Sequence, residues 1–163
     1  MAPWVGGEVR LRPVQDADLQ VFFEHQQDAE AVHMAAFTSE DPSNREAFDA
    51  HWSKILRDET VTMRTITVDD AVAGHIGSFL LEGKPNVTYW IGREFWGKGL
   101  ATWALQAFLE AFPERPIYAG TAKDNVGSLR VLEKCGFTVV AEEKGFANAR
   151  GEEIPELILE LKA

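Results

Sequence analysis

Residues Tyr89–Thr102 read YWIGREFWGKGLAT. The stretch breaks into the end of a strand, a glycine-bearing loop and the start of a helix. Asn86 to Gly92 (NVTYWIG) has the β-branched and aromatic content of a strand. Leu100 to Phe112 carries Leu100, Ala104, Ala107, Phe108 and Ala111 on one helical face. Between them, Gly97 and Gly99 can take positive φ and let the backbone approach a ligand closely. The helix opens near Gly99, so its free N–H groups and the positive end of its dipole face the loop. An anion such as a pyrophosphate suits that position. Lys98 adds a charge and Thr102 a hydroxyl. Glycines before a helix also mark ordinary turns, so both readings stand on these residues alone. Neither a Walker lysine pattern nor a six-residue dinucleotide fingerprint is present.

Outward from this segment the chain alternates strands and helices. Glu8 to Pro13 alternates and reads as a strand. Asp16 caps a helix through Leu19, Phe22 and Phe23 that continues less regularly towards Phe37. Ser43 and Glu46 have capping-box spacing and open a helix with Ala47, Phe48, Trp52, Ile55 and Leu56 on its apolar face. Thr62 to Val68 and Val72 to Leu81 read as strands on either side of an Asp69-Asp70 turn. Beyond the Leu100 helix, Pro113 and Pro116 bracket its end, and Ile117 to Thr121 is a short strand. Asn125 caps a helix to Cys135 that stops at Gly136. Phe137 to Phe146 and Ile154 to Leu161 pair around Asn148 to Gly151. The order is strand, helices, three strands, helix, strand, helix, two strands. It predicts a mixed α/β (α+β) sandwich, with helices on a twisted sheet.

The bulk numbers fit one domain over residues 8–163, with residues 1–7 as a short loose arm. The 163 residues are 45% apolar and include ten Phe and five Trp, a globular composition. No apolar run approaches a membrane span, and the arm lacks the basic flank and apolar core of a secretory leader. Acidic residues outnumber basic ones, 26 to 16, for a formal charge of −10. That balance argues against nucleic acid as a partner and suits a cationic substrate such as an amine; it also serves simple solubility. The single cysteine, Cys135, forms no internal disulfide and no metal cluster, and it points to the cytoplasm.

A second segment gives the first its meaning. Asn125–Phe137 reads NVGSLRVLEKCGF: a capping Asn, Ser128 in the first helical turn, and a Gly-Phe ending. Together the two segments resemble the acetyl-CoA-binding motifs of the GNAT family of N-acetyltransferases. That family's loop pattern is Gln or Arg, two residues, Gly, one residue, then Gly or Ala. Gly99 and Ala101 match the last two places, and Trp96 stands where Gln or Arg is usual. The Trp-Gly-Lys-Gly run is similar to the branch that holds the ribosomal-protein-alanine N-acetyltransferases. Asn125, Ser128, Lys134, Gly136 and Phe137 meet the second motif, Asn-x-x-Ser then Lys-x-Gly-Phe. The resemblance spans essentially the whole chain.

It implies a mostly antiparallel sheet of about seven strands with helices on both faces, whose fourth and fifth strands splay apart around acetyl-CoA. The backbone of Trp90 and Ile91 would pair with the pantetheine arm. Backbone groups of Gly97, Lys98, Gly99, Leu100, Ala101 and Thr102 would hold the pyrophosphate. Asn125 would bond the pantetheine or the acyl end. No metal is implied. The reaction would be direct attack of a neutral primary amine on the thioester, which needs a proton acceptor, an oxyanion donor from the splayed strand and a proton donor for the departing thiolate.

Many family members supply the last donor as a Tyr in the second motif. Leu132 stands there, and Ser128 is the replacement candidate; its other reading is a plain first-turn polar residue. Glu156, a carboxylate inside an apolar strand, is the candidate base, against the reading of an exposed strand residue. Glu94 reads more simply as a solvated turn residue. His75, between two strand glycines, is either a proton relay or a core histidine. Cys135 reads as a small buried hydrophobe, and Trp4, Trp52 and Trp103 as core. The loop from Met34 to Arg45, with Phe37, Glu40 and Asp41, would face the acceptor. By analogy with the branch that acceptor is a protein N-terminal alanine or serine, with small amines, polyamines, amino acids and aminoglycoside-like antibiotics left open. The rival reading is a non-catalytic acyl-CoA-binding or sensing module on the same fold; a nucleotide-phosphate binder using the glycine loop is a more distant one. Exposed strand edges are compatible with a homodimer.

Overall fold

A computed structural model describes residues 6–163. Of the expected arm only Gly6 and Gly7 fall among them, and Trp4 lies outside the described residues. Seven strands form one sheet in the order β1-β2-β3-β4-β5-β7-β6. The strands are β1 (Val9–Pro13), β2 (Thr62–Val68), β3 (Ala71–Leu81), β4 (Lys84–Ile91), β5 (Ile117–Ala122), β6 (Thr138–Ala147) and β7 (Glu152–Leu161). The helices are α1 (Asp16–His25), α2 (Ala29–Ala35), α3 (Arg45–Arg57), α4 (Leu100–Ala111) and α5 (Val126–Lys134). The expected order of elements is the observed one.

Every strand pairing is antiparallel except β4 with β5, which is parallel and limited to one pair, Asn86 with Tyr118. Beyond that pair the two strands diverge, leaving the splay in the middle of the sheet.

Helices cover both faces. Leu100, Ala104, Leu105 and Phe108 of α4 are buried with Ile66, Ile76, Val87 and Leu159 of the sheet and Leu132 of α5. Phe48 and Trp52 of α3, one turn apart, pack on the other side with Phe22 of α1 and Met63 of β2. Because β2 is covered on both sides, its last four residues, Thr65 to Val68, are all buried. The edge strand β6, by contrast, is exposed over most of its length.

Two helix starts differ from expectation. The first cap position is Gln15, not Asp16. Asp18, one turn in, takes the Gln15 N–H together with both prongs of the Arg12 guanidinium and the Thr65 hydroxyl. The α3 cap is Asn44, whose side chain accepts from Ala47 N, while the Ser43 hydroxyl turns to Asp41. Nor does the first helix run on towards Phe37. It ends at His25, and Asp28 caps a new helix by accepting from the N–H groups of Glu30 and Ala31.

Candidate active site

β4 leads out of the sheet at the splay. Its Gly92 N–H donates to the Ala73 carbonyl at 2.8 Å. Alternate residues of an antiparallel strand point their peptide groups the same way, so the peptide groups of Trp90 also face β3. Those of Tyr89 and Ile91 face the gap. The register therefore puts Tyr89, not Trp90, beside Ile91 on the main-chain edge expected to meet a pantetheine arm. The Ile91 carbonyl already accepts from the Trp96 indole Nε1–H at 2.8 Å.

A single 3₁₀ turn, Arg93–Phe95, follows. Arg93 ties it to the start of α2 through Asp28 and Glu30. Gly99 then takes φ 85° and ψ 7°, a left-handed conformation, at the N-cap of α4. No side chain caps this helix and no acidic residue occupies its first turn. The amides of Leu100, Ala101 and Thr102 have no carbonyl within the helix to receive them, and these residues border the gap.

The gap is a cavity of 590 Å³. Of the residues expected to bind the cofactor, Trp90, Ile91, Gly97, Gly99, Leu100, Ala101, Thr102 and Asn125 line it, as does Ser128. Lys98 and Glu156 do not. Arg130 and Lys134 of α5 also line the cavity and bring positive charge to it. They lie four residues apart on one helical face; Lys134 is a matched position of the second motif, whereas Arg130 was not singled out from the sequence.

Asn125 is held on both sides of its amide. Its Oδ1 accepts from Ser128 N and its Nδ2 donates to the Met34 carbonyl, each at 3.2 Å. It thus fixes the start of α5 against the end of α2.

Ser128 Oγ lies 3.0 Å from Tyr89 Oη. Tyr89 comes from β4 and lines the same cavity. Burial pushes its phenol up to about 12, against the opposing effect of the Ser128 contact. Leu132, at the place of the familiar Tyr, is 1% exposed and belongs to the core. Tyr89 is the residue that sequence reading missed. Nothing in the local pattern shows that β4 and α5 bring the two hydroxyls together.

Glu156 sits in β7 opposite Ala122 on one side and Glu143 on the other. Its carboxylate makes no hydrogen bond or ion pair with the described residues. It occupies space left by two glycines: a Cβ on Gly120 would stand 2.7 Å from Oε2, and one on Gly145 would stand 3.7 Å from Oε1 and 3.1 Å from the Phe37 ring. Burial first, and then Glu143, hold the Glu156 carboxyl above the usual carboxylate range.

The other candidates separate cleanly. Glu94 is exposed in the 3₁₀ turn. Cys135 is half-buried, its thiol pushed up to about 11 by burial, and points at the Thr102 carbonyl. Trp52 is core in the cluster under α3, and Trp103 packs partly buried against the separate core under α4. His75 lies across β3 from Trp90, its ring edge-on to Phe22 and Trp52. Burial, then His25 and His51, push it down to about 3, so the imidazole is neutral near pH 7. A smaller cavity of 250 Å³ opens at His75 and is lined by Phe37 and Asp41 of the expected acceptor loop, though not by Glu40. Trp90 lines both cavities. Among the described residues, no group of three or more His, Cys, Asp or Glu is placed to hold a metal, and no helix is long and apolar enough to cross a membrane.

The fold is shared with solved acetyltransferases. The microcin C7 self-immunity acetyltransferase MccE, in complex with acetyl-CoA and AMP, superposes with a TM-score of 0.82 at 16% identity, over 96% of this chain and 93% of that one. Mycobacterium smegmatis RimJ, in complex with CoA-disulfide, gives 0.79 at 24% identity, over 96% and 83%. The spermidine N-acetyltransferase of Vibrio cholerae, in complex with CoA and spermine, gives 0.76 at 16%, over 93% and 95%. At these identities the likeness establishes a common fold. No curated protein matches the chain at a significant level. The acetyltransferase (GNAT) domain profile matches residues 8–138, most of the chain, and on that match the chain belongs to the GNAT acetyltransferase family.

Proposed function

We propose that this protein is an N-acetyltransferase that uses acetyl-CoA and a primary amine. The observation that carries the reading is the cavity at the splay. One wall is a strand edge whose peptide groups face the gap, one end is an uncapped helix start, and Arg130 and Lys134 stand on its rim. Strand edge, N–H cradle and cations are the features needed by an amide-bearing arm joined to phosphates. Peptide groups of Tyr89 and Ile91 meet the arm. The amides around Gly99 take the pyrophosphate, and Arg130 and Lys134 add phosphate contacts.

Bound acetyl-CoA supplies an activated thioester. The chain supplies proton traffic and charge stabilisation around it. Tyr89, with its phenol shifted well above neutrality, remains protonated and donates to Ser128 Oγ. The Ser128 hydroxyl is thereby turned to give its own hydrogen to the departing sulfur. The gap-side N–H groups of β4 are the donors for negative charge developing on the carbonyl oxygen. Glu156, beside Phe37 and raised in pKa, accepts the amine proton through water. The 250 Å³ cavity on the far side of Trp90 is the acceptor side.

Release of CoA from acetyl-CoA in the presence of an amine panel tests the reading, with calorimetric binding of acetyl-CoA measured on the same samples. Amine-dependent release is expected. Acetyl-CoA binding with no turnover on any amine would instead support an acyl-CoA-sensing module. Absence of binding would remove both.

A further inference from the structure

The acceptor-side cavity has a chemistry of its own. Phe48, Trp52 and Met63 form a buried floor. Phe37, Trp90 and His75, each partly exposed, form the walls. Among the described residues, no Lys or Arg lines the cavity, and Asp41 is its only carboxylate. That carboxylate is already engaged: its Oδ1 accepts from both the backbone N–H and the hydroxyl of Ser43. His75 brings no positive charge at neutral pH, because its imidazole lies between aromatic rings with Nδ1 buried and unbonded.

These facts narrow the occupant. An anionic substrate would find no Lys or Arg among the described lining residues, and the one imidazole besides His75, that of His51, is exposed to solvent. A polyamine needs several carboxylates to match its charges, and the lining offers one. An aromatic floor of buried rings instead takes an apolar group, and neutral aromatic walls tolerate one ammonium nearby. At 250 Å³, the space equals about eight waters of liquid volume, enough for one ring-sized group and too little for a folded segment. Trp90 is where this cavity meets the cofactor cavity, so an amine anchored by its apolar end points its nitrogen towards the splay.

We infer that the acceptor is a small primary amine carrying one compact apolar group, aromatic or of similar size, seated on the Phe48–Trp52–Met63 floor. The inference rests on the acetyltransferase reading above. In the reaction the amine nitrogen bonds to the acetyl carbon and the carbon–sulfur bond breaks. The products are the N-acetyl amine and CoA thiol, with one proton passing from nitrogen, by way of the protein and solvent, to sulfur.

The test compares phenethylamine, phenylalanine amide, a peptide beginning with Phe, a peptide beginning with Ala, and spermidine as acceptors. It is run on the intact protein and on one variant. Ala47→Phe places a ring in the cavity from an exposed position of α3 and spares the core. Expected are kcat/KM values for the ring-bearing amines at least about tenfold above spermidine and the Ala peptide, the scale of one well-filled apolar pocket. Ala47→Phe should cut phenethylamine turnover about tenfold or more with acetyl-CoA affinity unchanged. Preference for the free amines over the Phe peptide identifies a small molecule, whereas the reverse identifies a protein N-terminus and overturns the small-molecule assignment. Preference for spermidine or the Ala peptide, or indifference to Ala47→Phe, overturns the inference while leaving an acetyltransferase. If acetyl-CoA binds but no amine turns over, the transferase reading fails by itself. Calorimetry of phenethylamine against the acetyl-CoA-loaded protein then decides the pocket: binding weakened by Ala47→Phe supports it, and no binding overturns it.

Discussion

Tyr89 and Ser128 stand 39 positions apart in the chain and 3.0 Å apart in space. If the phenol orients the serine hydroxyl, the two act as a unit and their losses do not add. Ser128→Ala and Tyr89→Phe are each expected to lower kcat about 10- to 100-fold, in the lower range of acid–base contributions, with little change in acetyl-CoA KM. The double variant should be no slower than the worse single one, as steady-state kinetics on the three variants would show. Glu156 belongs to the same scale. With saturating amine, kcat should fall as pH drops through its raised pKa, because only the carboxylate accepts a proton. Glu156→Gln should lose about 100-fold at neutral pH and flatten that acid limb in a pH–rate profile. Ser128 could be proposed from the sequence because it occupies a marked place in a motif, and Glu156 because a charge interrupts an apolar strand. Tyr89 could not, since its partner is set by how α5 lies on the sheet, which no local spacing encodes.

Helix starts carry much of the site, and they were only partly legible. Ser43 and Asn44 are both good capping residues, and Asp16 sits beside Gln15; in each case the observed cap is one residue away. The break between α1 and α2 falls where Asp28 offers its carboxylate to two amides, a choice that apolar periodicity cannot see. The start of α4 was read correctly because glycine is the residue for φ 85°. A Cβ at Gly99 would meet nothing within 4 Å, so Gly99→Ala acts only through backbone strain. We expect a stability loss of about 1–2 kcal/mol and acetyl-CoA binding about tenfold weaker, a change of about 1.4 kcal/mol, measured by urea unfolding and calorimetry. At the start of α1, Asp18 joins three elements. Its carboxyl is held below the usual range by Arg12, Gln15 N and Thr65, which outweigh the upward push of burial. Asp18→Ala should cost about 3 kcal/mol at pH 7. This contribution is present above the unfolded carboxylate pKa and disappears as pH falls through the lower folded value. The gap between wild type and variant in urea unfolding should therefore narrow in strong acid.

Across the whole molecule, the order of elements and the mixed sheet followed from the sequence, because long apolar faces and glycine-rich turns specify elements directly. The splay did not. A run such as β4 reads the same whether or not its neighbour stays paired, and only the family resemblance implied a gap. That gap has a consequence for how the molecule holds together. Strands β1–β4 and β5–β7 share one strand-to-strand pair, Asn86 with Tyr118. The backbone ladder is thus nearly interrupted at one seam, which the core under α4 spans, and the two sets of strands are expected to open on different free-energy scales. In native-state hydrogen exchange without ligand, amides of the two sets should separate into two classes of opening energy. A ligand seated in the seam binds only the closed form, adding about 2.7 kcal/mol at a hundredfold excess over its Kd, and the two classes should then merge. On the proposed reading, a bound substrate would act as the missing rung of the sheet, and each turnover would hand back a protein whose seam is again open.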